Sequence, residues 1–273
     1  MSSAAIRWGE ALASWAIPRH ILEAAPESPW AFPVELFASR ADAAISHPTP
    51  SNHRAQEAFP DGGIVLDVGC GAGAGALPLA SRASLLVGVD PSAGMLEAFL
   101  DRTRAAGVEA RAIEGSWPEV AGDTPVADVV VCHNVFYNVP DLPAFALTLT
   151  DHARRRVVAE LTGEHPLSTL NDLWMLFHGI RRPEEPTAET AVEVLSEAGL
   201  ELRREDWTAL AFGGFARRED LIGFVRRRLC LTADRDPEIE EAVSDRIVDR
   251  DGLFGFPPRR MVTLWWPGGS RSP

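Results

Sequence analysis

The sequence contains no lysine, so its 26 basic side chains are all arginines. This absence excludes every mechanism that needs a lysine base. Its three cysteines, Cys70, Cys132 and Cys230, are too few and too scattered for a disulfide framework or a zinc ribbon. Nothing else in the residue pattern demands a metal ion, and none is expected.

Long apolar runs are also missing, since no stretch reaches the roughly 18 consecutive apolar residues of a membrane helix. The first residues lack a basic region followed by an apolar run, so we expect no signal peptide and a cytoplasmic protein. The net charge of −13 repels nucleic acid and acidic membrane surfaces. We therefore expect neither of these partners, and the oligomeric state stays open.

A large apolar fraction, 46% of 273 residues, is present and is sufficient for a buried core. In residues 1–60, apolar side chains recur at helical spacing and Pro/Ser-rich passages follow, which predicts an N-terminal helical cap or lid. Residues 61–273 are then predicted to form the core domain. We expect helical insertions in this domain at 165–180 and 215–250.

Short apolar runs alternate with glycine turns and helical stretches from Gly63 onward. This rhythm is typical of parallel βαβ units, because right-handed crossovers bury both faces of the sheet. The seven predicted strands are 64–68, 85–90, 108–115, 127–133, 155–161, 201–207 and 259–266. They predict an open, doubly wound sheet, in which ligands bind at the carboxyl ends of the strands.

The glycine-rich loop after the first strand lies within LDVGCGAGAGALPLA, residues 66–80, and allows two interpretations. Gly69, Gly71 and Ala74 satisfy the G-x-G-x-x-A fingerprint of a dinucleotide site, which favours NAD. Asp67, two residues before the first glycine, is costly beside a pyrophosphate. A carboxylate there suits a ligand with an ammonium and a sulfonium, as in S-adenosylmethionine (SAM).

The ends of the next strands fit the other parts of SAM. Asp90 can accept hydrogen bonds from both ribose hydroxyls, and Glu114 can accept the adenine amino group. Met95 or Trp117 can lie against the purine face. Trp117 can equally belong to the core, Asp90 can merely cap a helix, and Cys70 can be just a small residue in a tight turn.

Four motifs in order carry a resemblance to the class I SAM-dependent methyltransferases of the small-molecule branch. They are VLDVGCGAGAGALPLA, LLVGVDPSAGML, EGSWPEV and ADVVVCHNVFYNVPDL, and the strong part of the resemblance covers residues 61–162. Together with the strand pattern it predicts an α/β fold: a doubly wound, seven-stranded, mostly parallel sheet with its last strand antiparallel.

The resemblance implies a site for SAM at the strand ends. The methyl donor would lie over the glycine loop, the ribose on the acid of the second strand and the adenine on the third. The end of the fourth strand would line the reaction side. The implied cofactor-binding residues are Asp67, Gly69, Cys70, Gly71, Gly73, Asp90, Pro91, Met95, Glu114, Gly115, Ser116, Trp117, His133 and Asn134.

Two further sets of candidates complete the site. One of Asn52, His53 and Arg54 is expected to touch SAM, with Arg54 a candidate partner of its carboxylate. Transfer to an oxygen usually needs a base with a pKa near neutral. The candidate catalytic residues are His133, Glu160 and His178. His133 ranks first because its strand end faces the methyl group in the family, although each of the three can equally be structural.

The acceptor is predicted to be a small, apolar molecule. The fourth strand is not followed by the Asn/Asp-Pro-Pro-aromatic motif of base-amino methyltransferases, and no cysteine follows a proline, as a cytosine-C5 enzyme requires. Aromatic side chains of the cap could wall an apolar pocket; they are Trp8, Trp15, Trp30, Phe32 and Phe37. The open alternatives are a SAM-binding protein without transferase activity, an RNA or protein methyltransferase and, more distantly, an NAD-dependent oxidoreductase.

Overall fold

The computed structural model describes residues 2–30 and 33–269; Phe32 of the predicted pocket wall lies outside them. The α-helices are α1 Ser3–Ala13, α2 Arg19–Ala24, α3 Val34–Ser46, α4 Pro50–Ala58, α5 Ala93–Ala105, α6 Leu142–Asp151, α7 Asn171–His178, α8 Ala188–Glu197, α9 Arg218–Arg228 and α10 Asp236–Val243. The strands are β1 Gly63–Val68, β2 Ala83–Asp90, β3 Ala110–Glu114, β4 Ala127–His133, β5 Ala153–Thr162, β6 Arg203–Phe215, β7 Val248–Arg250 and β8 Leu253–Pro267.

The strands form one mixed sheet in the order β3-β2-β1-β4-β5-β8-β6, with β7 paired to β8. Strands β1 to β5 are parallel to one another, whereas β8 runs antiparallel to both β5 and β6. The doubly wound α/β fold with an antiparallel last strand is therefore confirmed.

The sheet has one strand more than the seven that the apolar runs predict. The second half of the helical insertion predicted at 215–250 contains α10, a 3₁₀ turn and the short strand β7. Asp251 and Gly252 both take positive φ angles of 55° and 78° between β7 and β8. An Asp-Gly pair with this geometry is a strong hairpin signal, and the prediction of a helical insertion did not take it into account.

Both faces of the central strands are buried, as parallel sheets require. Leu66, Val130 and Val157 belong to a cluster with residues of α1, α6 and α8. Their neighbours Val65 and Val129 point to the opposite face, in a cluster with α4 and α5. Alternation of this kind is what wraps helices around both sides of the sheet.

The connection that follows the glycine loop differs from the expected helix. Residues 72–76 form turns, and the next element is a 3₁₀ helix at Leu77–Arg82. Pro78 has no N–H to donate, and Gly73 adopts a φ of +99° that an α-helix cannot accommodate. The short connection leaves room for α3 and α4 beside the loop.

The N-terminal helices are packed onto the sheet and its helical layers. Trp8 of α1 is fully buried and its Nε1 donates to the Val139 carbonyl over 2.8 Å. Helix α4 packs on β5 and β8, where the Ser51 and Thr263 hydroxyls form a buried 2.7 Å hydrogen bond. The division at residue 60 stays a prediction. Among the described residues, no helix is long and apolar enough to cross a membrane.

Candidate functional site

The register of the parallel strands brings the candidate residues to one edge of the sheet. Asp90 of β2 lies opposite Glu114 of β3, and His133 of β4 lies opposite Glu160 of β5. Asp67 is in β1, between these two pairs. The five side chains that the sequence singled out at strand ends therefore lie along the same edge of the sheet.

The glycine loop is shaped by contacts that leave no space for side chains. Gly69 and Gly71 have φ angles of +70° and +51°, which favour glycine. A Cβ at Gly69 would overlap the Val135 side chain, and one at Gly71 would lie 3.3 Å from the Phe37 ring of α3. The loop backbone is thus held close to α3, the helix that covers it.

The Asp90 carboxylate joins the loops that follow β1 and β2. Its Oδ2 accepts the Gly71 N–H and its Oδ1 accepts the Ser92 N–H, both over 2.9 Å. Burial raises the pKa of Asp90. The side-chain cap of α5 comes from Ser92 and not from Asp90. A carboxylate has about four acceptor positions, so two bonds leave capacity for ligand hydroxyls.

The second acid of the loop, Asp67, lies beneath it. Asp67 is 1% exposed, and its Oδ2 accepts the Ala76 N–H over 3.0 Å. Burial, together with the charge of Asp90, raises the pKa of Asp67 to about 7. The adjoining Cys70 is buried with its thiol pKa raised well above the ordinary value by the same desolvation, which favours the small-residue interpretation.

The segment after β3 divides into exposed and buried parts. Glu114 and Ser116 are exposed. Gly115 has a φ of +151°, and a Cβ there would overlap the Val120 side chain. Trp117 is buried in the main apolar cluster and meets the His152 ring edge-on at 4.9 Å. This position favours the core interpretation of Trp117, and it leaves Met95, buried on α5, as the apolar residue beside Asp90.

The residue after β4 is hydrogen-bonded to Glu160. Asn134 takes a left-handed φ of 61°, and its Nδ2 donates to Glu160 Oε1 over 3.0 Å. The other oxygen, Oε2, accepts the Thr49 hydroxyl over 3.2 Å. Both oxygens of this buried carboxylate are thus engaged in positioning. Sequence reasoning missed Thr49, whose position before Pro50 is an N-cap signal for α4.

His133, which lies beside Glu160, has a ring nitrogen that is not used in hydrogen bonding. Its Nε2 is buried and has no hydrogen-bond partner within residues 2–30 and 33–269. Burial lowers the pKa of His133, with an opposing contribution from the Glu160 charge. The imidazole is therefore neutral near pH 7 and able to accept a proton.

Of the three candidates on α4, Asn52 reaches the glycine loop: its Nδ2 donates to the Ala74 carbonyl over 3.2 Å. Arg54 points elsewhere, because its guanidinium pairs with Glu57 and Glu205 and lies over the Trp265 ring at 4.8 Å. This position therefore gives no support to the predicted contact between Arg54 and the carboxylate of SAM. His53 is exposed.

His178 also lies apart from the strand ends. Its Nε2 is 2.7 Å from the Leu229 carbonyl, and its ring packs on Trp174. Trp174 and Leu229 belong to a separate apolar cluster formed by α7, α9 and the end of β6. The hydrogen bond fixes His178 within that lobe and accounts for it as a structural side chain.

An aromatic group lies just beyond the ends of β4 and β5. The Tyr137 hydroxyl donates to the Thr162 carbonyl over 2.7 Å, and the His165 ring stacks on Trp15 with centroids 3.7 Å apart. Burial, together with the charges of Arg182 and Arg259, lowers the pKa of His165 to about 3. Trp15, Tyr137 and His165 are all buried, and they form a cluster of neutral aromatic rings next to these strand ends.

Comparisons with known proteins agree with this geometry. Residues 65–156 match the model of a family described as methyltransferase domain. An uncharacterised protein of Haemophilus influenzae is 27% identical over 208 residues, 74% of this chain and 75% of that protein. The ubiquinone biosynthesis O-methyltransferase of Rickettsia felis is 30% identical over 90 residues, 33% of this chain and 36% of that enzyme.

The fold has solved counterparts. The crystal structure of the YcgJ protein from Bacillus subtilis is similar with a TM-score of 0.53 at 19% identity, and the match covers 82% of this chain and 99% of that one. The likeness supports the fold, and the family match to residues 65–156 covers the strands that carry the glycine loop, Asp90 and Asp67.

The raised pKa of Asp67 predicts a characteristic dependence of stability on pH. The native carboxyl keeps its proton up to about pH 7, whereas the unfolded one releases it near 3.8. Because the unfolded state binds fewer protons in this window, stability is lost as the pH rises from about 4 to about 7. Relative to Asp67→Asn, the wild type should lose on the order of 4 kcal/mol of unfolding free energy across it.

Urea unfolding at half-unit pH steps measures this difference. Asp61→Asn is the matched control, because Asp61 is exposed and its replacement should leave the pH profile unchanged. A gap between the wild type and Asp67→Asn that stays constant from pH 4 to pH 7 would show that Asp67 ionises normally.

Proposed function

We propose that this chain, which belongs to the class I SAM-dependent methyltransferases, methylates a small and largely apolar molecule. The observation that carries the choice of acceptor is the aromatic group of Trp15, Tyr137 and His165 beside the ends of β4 and β5. The net charge of −13 disfavours a polyanionic acceptor. One of the relatives is an O-methyltransferase of ubiquinone biosynthesis.

The residues at the loop fit the methyl donor. Asp90 retains acceptor capacity for the two ribose hydroxyls, and the close backbone of Gly69 and Gly71 provides a surface without side chains. Asp67 and Asp90 make the loop favourable for a cation and unfavourable for a pyrophosphate. When bound, SAM supplies an electrophilic methyl group on its sulfonium.

His133 is the proposed general base for a hydroxyl or amine acceptor. Its neutral imidazole takes the acceptor's proton at the unpartnered Nε2 as the acceptor–methyl bond forms and the sulfur–methyl bond breaks. Glu160 is a positioning residue, since it holds Asn134 and Thr49 on either side of the strand end. The aromatic group excludes water from the reacting atoms.

A methyl-transfer screen tests the proposed function. Purified protein is incubated with SAM carrying a labelled methyl group and with separate small-molecule, RNA and protein fractions of a cell extract. We expect label in the small-molecule fraction, because the charge and the aromatic wall favour that class. The Gly71→Arg variant, whose side chain would enter the loop against Phe37, should give no label. Label in RNA or protein would overturn the acceptor class.

Replacement of His133 tests the base. His133→Gln should lower kcat by about 10²- to 10⁴-fold, the usual contribution of a general base, with little change in the Kd for SAM. The wild-type rate should rise through an acid limb below pH 6.5, since the pKa of His133 is lowered, and the variant should lose this limb. His20→Gln, at an exposed position on α2, is the control. An unchanged kcat in His133→Gln would refute the role.

A further inference from the structure

Resting on the proposed function, we infer that the acceptor carries a carboxylate and that Arg40 and Arg259 bind it. These two arginines, from α3 and β8, make no ion pair with any acidic side chain in the described part of the chain. Most other arginines of the protein are paired with Asp or Glu at the surface. Both side chains are half-buried, and a cation that is partly removed from water without a counterion is costly, so a ligand anion would reduce that cost.

Arg40 reaches from α3 to the end of β6. Its Nε and Nη2 both donate to the Gly213 carbonyl, over 3.2 and 2.7 Å. Its guanidinium also lies 5.5 Å from the centre of the Phe37 ring. Because the Gly213 carbonyl accepts both of these bonds, the remaining guanidinium nitrogen, Nη1, is available for a further acceptor.

Arg259 approaches the same corner from β8. Its guanidinium lies over the Phe212 ring at 5.4 Å, next to the carbonyl that Arg40 holds. Its Nη1 donates to the Pro166 carbonyl over 2.9 Å, while its buried Nε has no partner among residues the structure describes. The nearby acid, Glu164, is instead 3.6 Å from Arg260.

The two cations influence each other. Burial, followed by the charge of Arg259, lowers the pKa of Arg40 to about 10. Burial also lowers the pKa of Arg259 to about 10, against opposing contributions from Tyr137 and Glu164. Both guanidinium groups remain charged at neutral pH. Two like charges held at one corner of the fold repel each other, so a carboxylate between them would be bound by both.

The position of this pair suits the acceptor. Phe37, one helical turn before Arg40, contacts the glycine loop that is proposed to hold the methyl donor. Arg259 lies beside Pro166 and lowers the pKa of His165, which belongs to the aromatic group at the ends of β4 and β5. An aromatic or aliphatic acid could therefore place its carboxylate on the arginines and its body along this group.

The groups around the two arginines favour a carboxylate over a phosphate. A guanidinium fork matches the two oxygens of a planar carboxylate. The surroundings are aromatic rings and backbone carbonyls, with no helix N-terminus directed at the pair among the contacts described. We therefore choose a monoanionic carboxylic acid as the ligand, and a phosphate becomes an outcome of the test.

The test is calorimetric titration of the protein, saturated with S-adenosylhomocysteine, with benzoate and with its neutral analogue benzamide. Benzoate should bind at least tenfold more tightly than benzamide. Arg40→Gln and Arg259→Gln should each weaken benzoate binding at least tenfold and leave the Kd for S-adenosylhomocysteine unchanged. Arg82→Gln is the control, because Arg82 also donates to backbone carbonyls but pairs with Asp61 at the other edge of the sheet.

Equal binding of benzoate and benzamide by the wild type would overturn the inference, and this comparison does not depend on how well the variants fold. Tight binding of inorganic phosphate with no binding of benzoate would also overturn it. If the screen labels a neutral small molecule and Arg259→Gln leaves that transfer unchanged, the inference fails while the proposed function stands. Label in RNA or protein would instead remove the proposed function itself.

Discussion

The Asp90 carboxylate holds the loops after β1 and β2 together by accepting the N–H groups of Gly71 and Ser92. The first bond holds the glycine loop, in which the alternate residues Gly69, Gly71 and Gly73 have positive φ angles. The second positions Ser92 to cap α5, which in turn packs against α3. Helix α3 covers the loop with Phe37 and carries Arg40 on the same side. Both halves of the site therefore depend on one side chain at the end of β2.

The electrostatic character of the site differs between its two halves. At the glycine loop, Asp67 is buried and Asp90 is half-buried, and removal from water raises the pKa of both carboxyls. Such a place favours a cationic ligand, which stabilises the charged carboxylates. Near the end of β6, Arg40 and Arg259 add positive charge, and the charge of Arg259 also acts on His165 beyond the end of β5. A cationic methyl donor and an anionic acceptor would each meet the opposite charge.

The sequence was sufficient for the elements whose signal is local. Strands β1, β2 and β4 are continuous apolar runs, and the acids at their ends could be assigned to one edge of the sheet because parallel strands share a direction. The hairpin of β7 and β8 was missed because residues up to 250 were assigned to a helical insertion, and the Asp251-Gly252 signal that follows them was given no weight.

Side-chain roles that depend on distant partners could not be read from the sequence. Arg54 is only two residues from Asn52 in the chain, yet its direction is set by Glu205, 151 residues away. His178 is fixed by the carbonyl of Leu229 in a different element. Arg40 and Arg259 carried no motif, and their proximity comes from the packing of α3 on β6 and the pairing of β6 with β8.

Calorimetry with S-adenosylhomocysteine and NAD, on the wild type and on Asp90→Ala, tests whether Asp90 and the glycine loop bind the methyl donor. We expect one binding site for S-adenosylhomocysteine, a large loss of affinity in Asp90→Ala and no binding of NAD. Binding of NAD in place of S-adenosylhomocysteine, or an affinity for S-adenosylhomocysteine that survives in Asp90→Ala, would contradict it.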